Sequence, residues 1–564
     1  MPTIDVDYVE FEKLLGIKFD RDMTKVNSCL AFVKGEVKLF DEKEGLMSIE
    51  IKDSNRPDLW SIEGLVRALR GFLGLDEGLR NYAADKPIAD LNVSPELRSL
   101  RPYIGCSIVK NVKLTDKIIR GLMHLQDKLD QTYGRNRRRT SIGLYDFSLL
   151  APPFSYTVAK PSEIRFIPLG LSERMSLEEI LQKHPKGLEY GSILKGHSVY
   201  PILLDSERKV LSFPPIINSN DLGRITEDTK HLLIEVTGTA EETVLTTLKI
   251  VTLSLIDRGG KAYSTTIHYP HEKRKVVTPN FETRRMTLSI EYVNRLLGLQ
   301  VTAKQIAGLL SKAGFDVEKT EKSSLVVRIP CYRVDVMHPI DLVEDVAIAY
   351  GYNNIRPSWR KLPTTGGLRP EQSLLSAAID LMIGLGFQEI LTYTMTNTEN
   401  LFTKMNCKKE KTVEIANPKV QTLTCLRSWL LPSLIEFLSS NLSVDYPQRI
   451  FELGKITALD YKKETRTRDE EWLAAASSHP SAGFSEIKSA LDAFFMNLDL
   501  EWRIKETKHP SFIDGRAGAI IISGKTAGIL GEINPKVLTA WKIENPTVAF
   551  EVNMNMVVQT KQAS

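Results

Sequence analysis

The sequence has few of the features that mark disulfide-bonded, zinc-binding or membrane proteins. Its five cysteines form no CxxC pair and have no histidine at zinc-ligand spacing, so neither a disulfide framework nor a zinc site is expected. No apolar run approaches the roughly 20 residues that span a bilayer. The start, MPTIDVDYVEF, has no basic segment followed by an apolar core. We therefore expect an untargeted, soluble chain in a reducing cytoplasm.

The chain also lacks an excess of charge of one sign. Among its 564 residues, 74 Lys and Arg stand against 70 Asp and Glu, which leaves a formal net charge of +4. Any contact with nucleic acid must therefore come from a local basic patch and not from the surface as a whole. The length is too great for one hydrophobic core and predicts roughly four domains.

A distant internal repeat is the first pattern that is present. The segment DYVEFEKLLGI (7–17) resembles LSIEYVNRLLGL (288–299) in its apolar spacing and its LLG ending. In each copy a strand-like segment, an Arg-x-Asp turn and a helical segment follow, around SNRPDLWSIEGL and CYRVDVMHPIDL. Because solenoids need contiguous repeats, this separation predicts a duplicated small α/β module that brackets another domain.

The regions between and after the two copies have their own patterns. The strands YIGCSIVKNV and HLLIEVTG, with the helix KIIRGLMHLQDKLDQTYG, predict an α/β or α+β insert. In the second copy, Thr302 and Gln305 form a capping box and predict a helix that ends at Gly314. A turn-rich link after Tyr352 places a boundary near Trp359. The predicted domains are residues 1–90, 91–275, 276–358 and 359–564.

Four carboxylates surround the start of the last helix of the second copy: Asp335, Asp341, Glu344 and Asp345. Asp341 and Glu344 fit a variant capping box, and the positive end of the helix dipole favours both. The three acids from Asp341 onward nevertheless share one helix face, where like charges repel. An oxygen-only ligand set suits a hard cation such as magnesium. The first copy has only Glu63 near its helix start, so the fold of the module does not require the cluster, and both interpretations stay open.

Three segments together resemble the beta subunit of phenylalanyl-tRNA synthetase, of the archaeal and eukaryotic type. They are NRPDLWSIEGLVRALRG, RVDVMHPIDLVEDVAIAYGY, and LRSWLLPSLIEFLSSNL with RIFELGK. The resemblance covers essentially the whole chain. It implies an α+β multidomain fold in which the duplicated module flanks an editing-type insert. A class II synthetase-like antiparallel-sheet domain without catalytic motifs follows.

The resemblance also implies ligands and partners. Asp335, Asp341, Glu344 and Asp345 match the acids that bind a magnesium ion in that family. The partner is an alpha subunit in an (αβ)2 tetramer, which uses ATP and attaches phenylalanine to tRNA-Phe. The present chain would support that reaction and hydrolyse mischarged Tyr-tRNA-Phe.

The last region has the outline of a ligase domain without its ATP ligands. A catalytic class II domain grips ATP through arginines at fixed positions. Here Glu452 follows Phe451 where the catalytic form shows Arg-x-Glu, and no arginine follows Gly528 and Gly531 at a place suited to a γ-phosphate. We therefore assign no residue of this chain to aminoacylation. The apolar helix SLLSAAIDLMIGLGF is either a core helix of this region or a contact for the alpha subunit.

The segment GRNRRRTSIGLYD is a local basic spot in the insert. Its arginines, Arg135, Arg137, Arg138 and Arg139, can track phosphates. The alternative is a solvent-exposed loop whose positive charge balances the partial negative charge of the carbonyl groups at a helix C-terminus. Because the resemblance implies that a tRNA acceptor end enters this insert, these four residues are the candidates for tRNA contact.

A pocket that rejects tyrosine needs buried polar groups that pair with a phenol, which the correct substrate lacks. By resemblance, Leu203, Ser212 and Glu235 match the tyrosine-recognising pocket, and the Pro-Pro turn at Pro214 and Pro215 would present Asn218 beside them. Each polar residue also has an explanation that needs no pocket. Ser212 and Asn218 would stabilise the turn, and Glu235 would lie on the solvent-facing side of a strand. No Ser-His-Asp or Cys-His set is evident in the insert, so the group that activates water is unassigned. The alternative function is a structural or tRNA-binding scaffold subunit without editing.

Overall fold

The computed structural model describes residues 2–358 and 364–563. The chain divides into two compact units, Met1–Trp359 and Arg360–Ser564. Trp359, where the sequence predicts a boundary, lies outside the described residues. The fold is a mixed α+β arrangement with several separate sheets. Among the described residues, no helix is both long and apolar enough to cross a membrane.

The first unit begins with a small module of three strands and three helices. Its elements are β1 (Thr3–Asp7), α1 (Tyr8–Leu15), α2 (Met23–Leu30), β2 (Gly35–Asp41), β3 (Leu46–Ile51) and α3 (Ile62–Phe72). The strands form an antiparallel sheet in the order β1-β3-β2. The alternating burial along β3 places Met47, Ile49 and Ile51 in the core, as expected for a sheet with one wet face.

The insert follows, and most of its strands form one large sheet. Its strands are β4 (Asp85–Val93), β5 (Tyr103–Lys110), β6 (Thr140–Asp146), β7 (Phe154–Ala159), β8 (Arg165–Phe166), β9 (Met175–Ser176), β10 (Tyr200–Leu204), β11 (Val210–Phe213), β12 (Ile217–Asn218), β13 (His231–Gly238), β14 (Lys261–Tyr269) and β15 (Arg274–Thr278). Its helices are α4 (Asp116–Lys128), α5 (Leu177–Lys183), α6 (Pro185–Tyr190) and α7 (Glu241–Ile256).

The strand order of the large sheet determines where its pocket lies. The order is β12-β11-β10-β7-β4-β14-β5-β13-β6, and β15 pairs with β14. The two outermost strands approach each other, because the Tyr145 hydroxyl of β6 lies 3.3 Å from Oδ1 of Asn218 on β12. The strands β5 and β13 and the helix α4 confirm the corresponding sequence predictions.

The second module has the same order of elements as the first. They are β16 (Arg284–Ser289), α8 (Ile290–Leu297), α9 (Ala303–Lys312), β17 (Asp316–Thr320), β18 (Ser324–Ile329) and α10 (Pro339–Tyr350), with the sheet order β16-β18-β17. The LLG ending is repeated for a structural reason: Gly16 and Gly298 end α1 and α8 in the left-handed conformation. The predicted capping box of Thr302 and Gln305 is confirmed, and Gly314 follows with a φ of +83°.

The second unit is built on a seven-stranded sheet. The strands of this unit are β19 (Gln388–Glu389), β20 (Met395–Thr396), β21 (Cys425–Leu426), β22 (Gln448–Leu459), β23 (Thr467–Ser478), β24 (Trp502–Glu506), β25 (Phe512–Ile522), β26 (Lys525–Ile533) and β27 (Thr547–Asn553). Of these, β20 and β21 form a separate pair. Its helices are α11 (Pro370–Gly384), α12 (Leu431–Ser440), α13 (Phe484–Asn497), α14 (Pro535–Ala540) and α15 (Met554–Ala563). The sheet order is β19-β22-β23-β27-β26-β25-β24.

Helices cover both faces of this sheet. One core joins α11, α13 and α15 to side chains such as Leu473 and Ala475, while a second core joins α12 and α14 to Ala474 and Ala476. Successive residues of β23 thus point to opposite faces. The apolar helix predicted from the sequence is α11, whose Leu375, Ala378 and Met382 are buried in the first of these cores. On that face it is a core helix, although Ile383 is 52% exposed.

Candidate functional site

A cavity of about 190 Å³ lies in the insert, where the hairpin of β11 and β12 approaches β6 and β13. Its lining includes Ser212, the Pro-Pro turn, Asn218 and Glu235. These three polar residues, which the sequence singles out, therefore line one cavity. Main-chain pairing brings two of them together, because Ser212 and Asn218 are opposite each other in the register of β11 and β12.

Glu235 is the buried carboxyl group in the lining of this cavity. Only 2% of the surface of Glu235 is exposed. Oε2 accepts a hydrogen bond of 2.7 Å from the Tyr145 hydroxyl, whereas Oε1 has no hydrogen-bond partner among the described residues. The Ser212 hydroxyl likewise has no hydrogen-bond partner among them. Because buried polar groups are normally paired, an orphan acceptor and an orphan hydroxyl in one cavity wall indicate a site for a polar ligand group.

The protonation of Glu235 is poised near neutral pH. Burial raises the pKa of Glu235 to about 7, against the opposing effects of the Tyr145 hydroxyl and the Arg101 guanidinium. The carboxyl group is therefore protonated in mild acid and ionised in mild base. Perturbed groups of this kind are concentrated at functional sites.

Two residues of the site are missed by the sequence interpretation. Tyr145 reads as an ordinary aromatic of an apolar strand, yet its hydroxyl contacts both Glu235 and Asn218. Gly143 is directly opposite Glu235 in the register of β6 and β13. A Cβ atom at Gly143 would overlap the Tyr145 hydroxyl and the Glu235 carboxylate. The available signal was the lone glycine inside a strand pattern, which often marks such a close approach.

Leu203 lies apart from the cavity. It is opposite Ser212 in the register of β10 and β11, but its side chain is fully buried in the core that also contains Tyr156 and Leu211, and it is not part of the cavity lining. Leu203, which the resemblance assigns to the tyrosine-recognising pocket, is therefore a core residue on the strand next to Ser212. The strand order explains why Leu203 is not in the cavity lining, because β11 and β12 lie between β10 and the cavity.

The basic run divides into three exposed arginines and one buried arginine. Arg135, Arg138 and Arg139 are exposed, whereas Arg137 is 8% exposed. Arg137 pairs with the buried Asp130 at 2.9 Å, and its Nη1 donates to the carbonyl oxygens of Pro215 and Ile216 at 3.2 and 2.9 Å. The candidate contact of Arg137 with tRNA is therefore corrected: its guanidinium holds the Pro-Pro turn that lines the cavity.

The four acids at the start of α10 have separate partners. Nη2 of Arg333 donates to Asp335 at 2.7 Å and to Asp345 at 2.6 Å. Asp341 accepts from the backbone N–H groups of residues 337 and 338, both at 2.7 Å. Glu344 accepts from Lys34 of the first module at 2.6 Å. The N-cap is His338 and its capping box uses Asp341, so the predicted box of Asp341 and Glu344 is wrong.

In the described geometry three of these acids are paired with basic side chains, and the four are not grouped around one point. Arg333 lies between the carboxylates of Asp335 and Asp345. Within residues 2–358 and 364–563, no group of three or more acidic, histidine or cysteine side chains is placed to hold a metal. Although burial opposes ionisation, Arg333 and Arg56 lower the pKa of Asp335 to about 2. The positive charge that balances the cluster is here supplied by arginine and lysine.

In the second unit, Glu452, at the position of a motif that binds ATP in catalytic class II domains, is part of a buried ion pair. Arg427 binds Glu452 at 2.8 Å, and both side chains are almost fully buried. The Thr392 hydroxyl donates to Glu452 and accepts from Arg427. Arg427 and Glu452 thus satisfy each other and are not free for a nucleotide.

Comparisons with known proteins agree with this architecture. A family model described as the tRNA synthetase B5 domain matches residues 286–352, and one described as the phenylalanyl tRNA synthetase beta chain CLM domain matches residues 355–554. The chain is 42% identical over 554 residues to the phenylalanine–tRNA ligase beta subunit of Thermococcus sibiricus, covering 98% of each chain. It is 39% identical to that of Archaeoglobus fulgidus, covering 99% of each.

A solved structure matches the first part of the chain. It is an N-terminal fragment of the phenylalanyl-tRNA synthetase beta subunit from Pyrococcus horikoshii, at 38% identity and a TM-score of 0.60, and the match covers 62% of this chain and all of the fragment. These matches identify a component of an aminoacyl-tRNA synthetase. More narrowly, the chain belongs to the family of phenylalanine–tRNA ligase beta subunits.

Proposed function

We propose that the insert hydrolyses Tyr-tRNA-Phe, the mischarged product of the ligase to which this beta subunit belongs. The observation that carries the proposal is the orphan Oε1 of the buried Glu235, in the wall of a cavity that also holds Ser212 and Asn218. A tyrosyl phenol has a hydroxyl that can donate to Oε1. A phenylalanyl ring would leave Oε1 of the buried carboxyl group without a hydrogen-bond donor, which disfavours that ligand.

The scaffold alternative predicts a different pocket. It requires Glu235 to point to solvent and the Pro-Pro turn to fill the space, whereas Glu235 is buried and the turn borders a cavity. The geometry therefore favours editing.

The assembly follows from the family. A beta subunit of a phenylalanine–tRNA ligase works with an alpha subunit and with tRNA. We propose the (αβ)2 stoichiometry, with ATP and Mg²⁺ used at the active site of the alpha subunit. We further propose that residues 359–564 form an inactive class II-like domain. The mutual pairing of Arg427 and Glu452 supports this view. The proposed domains before it are residues 1–90, 91–275 and 276–358.

Magnesium binding by Asp335, Asp341, Glu344 and Asp345 stays a prediction. In the described geometry Arg333 and Lys34 occupy three of the four carboxylates, so a magnesium ion would compete with both cations. No step of the proposed hydrolysis uses this ion.

The complex should release tyrosine selectively from tRNA-Phe. The chain is co-expressed with its alpha subunit, and deacylation of Tyr-tRNA-Phe is compared with that of Phe-tRNA-Phe. We expect the tyrosyl ester to be hydrolysed about 100-fold faster, because the second substrate cannot pair with Glu235. Hydrolysis of both esters at the uncatalysed rate would leave the chain as a scaffold subunit.

Removal of the three exposed arginines should weaken tRNA binding. The triple variant Arg135→Ala, Arg138→Ala and Arg139→Ala should bind tRNA-Phe less tightly, with a smaller dependence of the affinity on salt. Each lost phosphate contact reduces the slope of log affinity against log salt by roughly 0.7–0.9. Fluorescence anisotropy between 50 and 200 mM salt, at about these concentrations, measures both quantities.

The matched control replaces three exposed lysines of the first module, Lys13, Lys25 and Lys43. It lowers the net charge by the same amount, so an equal effect in the control would show that only the total charge matters. An unchanged slope in the arginine variant would exclude these residues as tRNA contacts.

A further inference from the structure

Tyr145 joins three elements of the editing cavity through one hydroxyl group. The side chain is fully buried on β6. Its hydroxyl donates to Oε2 of Glu235 on β13 at 2.7 Å and lies 3.3 Å from Oδ1 of Asn218 on β12. These contacts link residues 90 and 73 positions apart in the sequence. They also hold the two edges of the large sheet against each other.

This hydroxyl fixes which carboxylate oxygen of Glu235 remains free. Oε2 is engaged by Tyr145, and Oε1 has no hydrogen-bond partner among the described residues. Gly143 provides the space for this arrangement, because a Cβ atom there would overlap both the hydroxyl and the carboxylate. Because the hydrogen bond to Oε2 fixes the orientation of the carboxyl group, the direction in which Oε1 accepts a hydrogen bond is also fixed.

We propose that Tyr145 is a positioning residue for substrate discrimination: its phenol holds Glu235 so that Oε1 is presented to the phenol of a tyrosyl ester. This inference rests on the proposed editing function. It assigns to Tyr145 no contact with the reacting ester. The site thus uses one internal phenol to orient the acceptor of an incoming phenol, and a pinned acceptor loses less entropy on binding.

The surroundings of Glu235 decide the direction of a pH effect. The titratable and charged groups facing it are Tyr145 on β6, Cys106 on β5, Tyr156 on β7 and the Arg101 guanidinium. The Tyr145 hydroxyl and Arg101 favour the ionised carboxylate, and the hydroxyls of Thr237 and Ser212 act in the same direction. Removal of the hydroxyl leaves Arg101 in place and moves the pKa of Glu235 upward.

The test is Tyr145→Phe in the complex with the alpha subunit. We expect kcat/KM for Tyr-tRNA-Phe to fall about 10-fold, as for the loss of one hydrogen bond to a charged group, with a higher KM. The pH midpoint of tyrosyl-ester hydrolysis should move upward. The variant Gly143→Ala, whose methyl group displaces the same two atoms, should lower kcat/KM in the same direction.

The matched control is Tyr269→Phe. Tyr269 is a buried tyrosine of the same sheet whose hydroxyl accepts a hydrogen bond from the backbone N–H of Ile104 and donates to its carbonyl oxygen. It should leave kcat/KM and the pH midpoint unchanged. A normal kcat/KM and midpoint in Tyr145→Phe, with strong impairment in Glu235→Gln, would overturn the role of Tyr145 and leave editing intact. Absence of hydrolysis in the wild-type complex would overturn both.

Discussion

Replacement of Glu235 by alanine is expected to lower the hydrolysis of Tyr-tRNA-Phe by about 100-fold, because the phenol loses its buried charged acceptor. The slow hydrolysis of Phe-tRNA-Phe should change little, since a phenylalanyl ring makes no hydrogen bond with this carboxylate. The selectivity between the two esters should therefore collapse. The selectivity is measured as the ratio of the deacylation rates of Tyr-tRNA-Phe and Phe-tRNA-Phe by the complex.

The pH dependence gives a second measure of the same group. The pKa of Glu235 lies near 7 because burial raises it, so the carboxylate is ionised above that pH and protonated below it. The ratio of the wild-type rate to the Glu235→Gln rate should therefore rise as the pH increases from about 6 to about 8. Use of this ratio removes the general increase of ester hydrolysis with pH.

A control carboxylate is available on the same insert. Glu242 is exposed at the start of α7, and Glu242→Ala should retain both the rate and the selectivity. Full activity of Glu235→Ala would remove the carboxylate from the mechanism.

The second large effect is expected in the second module, where Arg333→Ala should lower its stability by about 3–5 kcal/mol. Arg333 is 4% exposed and holds the buried carboxylates of Asp335 and Asp345. Without the guanidinium, the buried Asp345 loses its ion-pair partner and Asp335 keeps only Arg56, at 3.6 Å. The melting temperature of the corresponding transition should fall by roughly 12 °C or more, at about 4 °C per kcal/mol for a domain of this size.

The control and the metal test use the same measurement. Arg285→Ala removes an exposed ion pair with Glu318 in this module and should change stability by no more than about 0.5 kcal/mol. Millimolar Mg²⁺ tests the predicted metal site: an unchanged wild-type melting temperature would leave Arg333 as the cation that balances the acids. A clear rise with Mg²⁺, reversed by EDTA, would instead support magnesium at these acids.

Local signals in the sequence were sufficient for the elements of the fold. Thr302 and Gln305 define a helix start because a capping box involves neighbouring residues only. Gly16 and Gly298 define helix ends for the same reason. Ser212 and Asn218 also lie close in sequence and meet across one hairpin.

Long-range partners were beyond the reach of the sequence patterns. The contact of Tyr145 with Glu235 joins residues 90 positions apart, and an aromatic in an apolar strand resembles any core residue. Arg137 stands among exposed arginines, and only the fold shows that it points inward to the Pro-Pro turn. The acids of α10 were predicted on one helix face, but the spacing could not reveal the arginine and lysine that bind them.

The contact between the duplicated modules has a consequence for biosynthesis. Lys34 reaches Glu344, 310 residues later, and Arg56 approaches Asp335 at 3.6 Å. Because a ribosome releases the chain from its N-terminus, the first module emerges long before its counterpart exists. The insert has time to fold first, at roughly 5–20 residues per second. The charged side chains of the first module must therefore stay without these partners until the last helix of the second copy has left the exit tunnel.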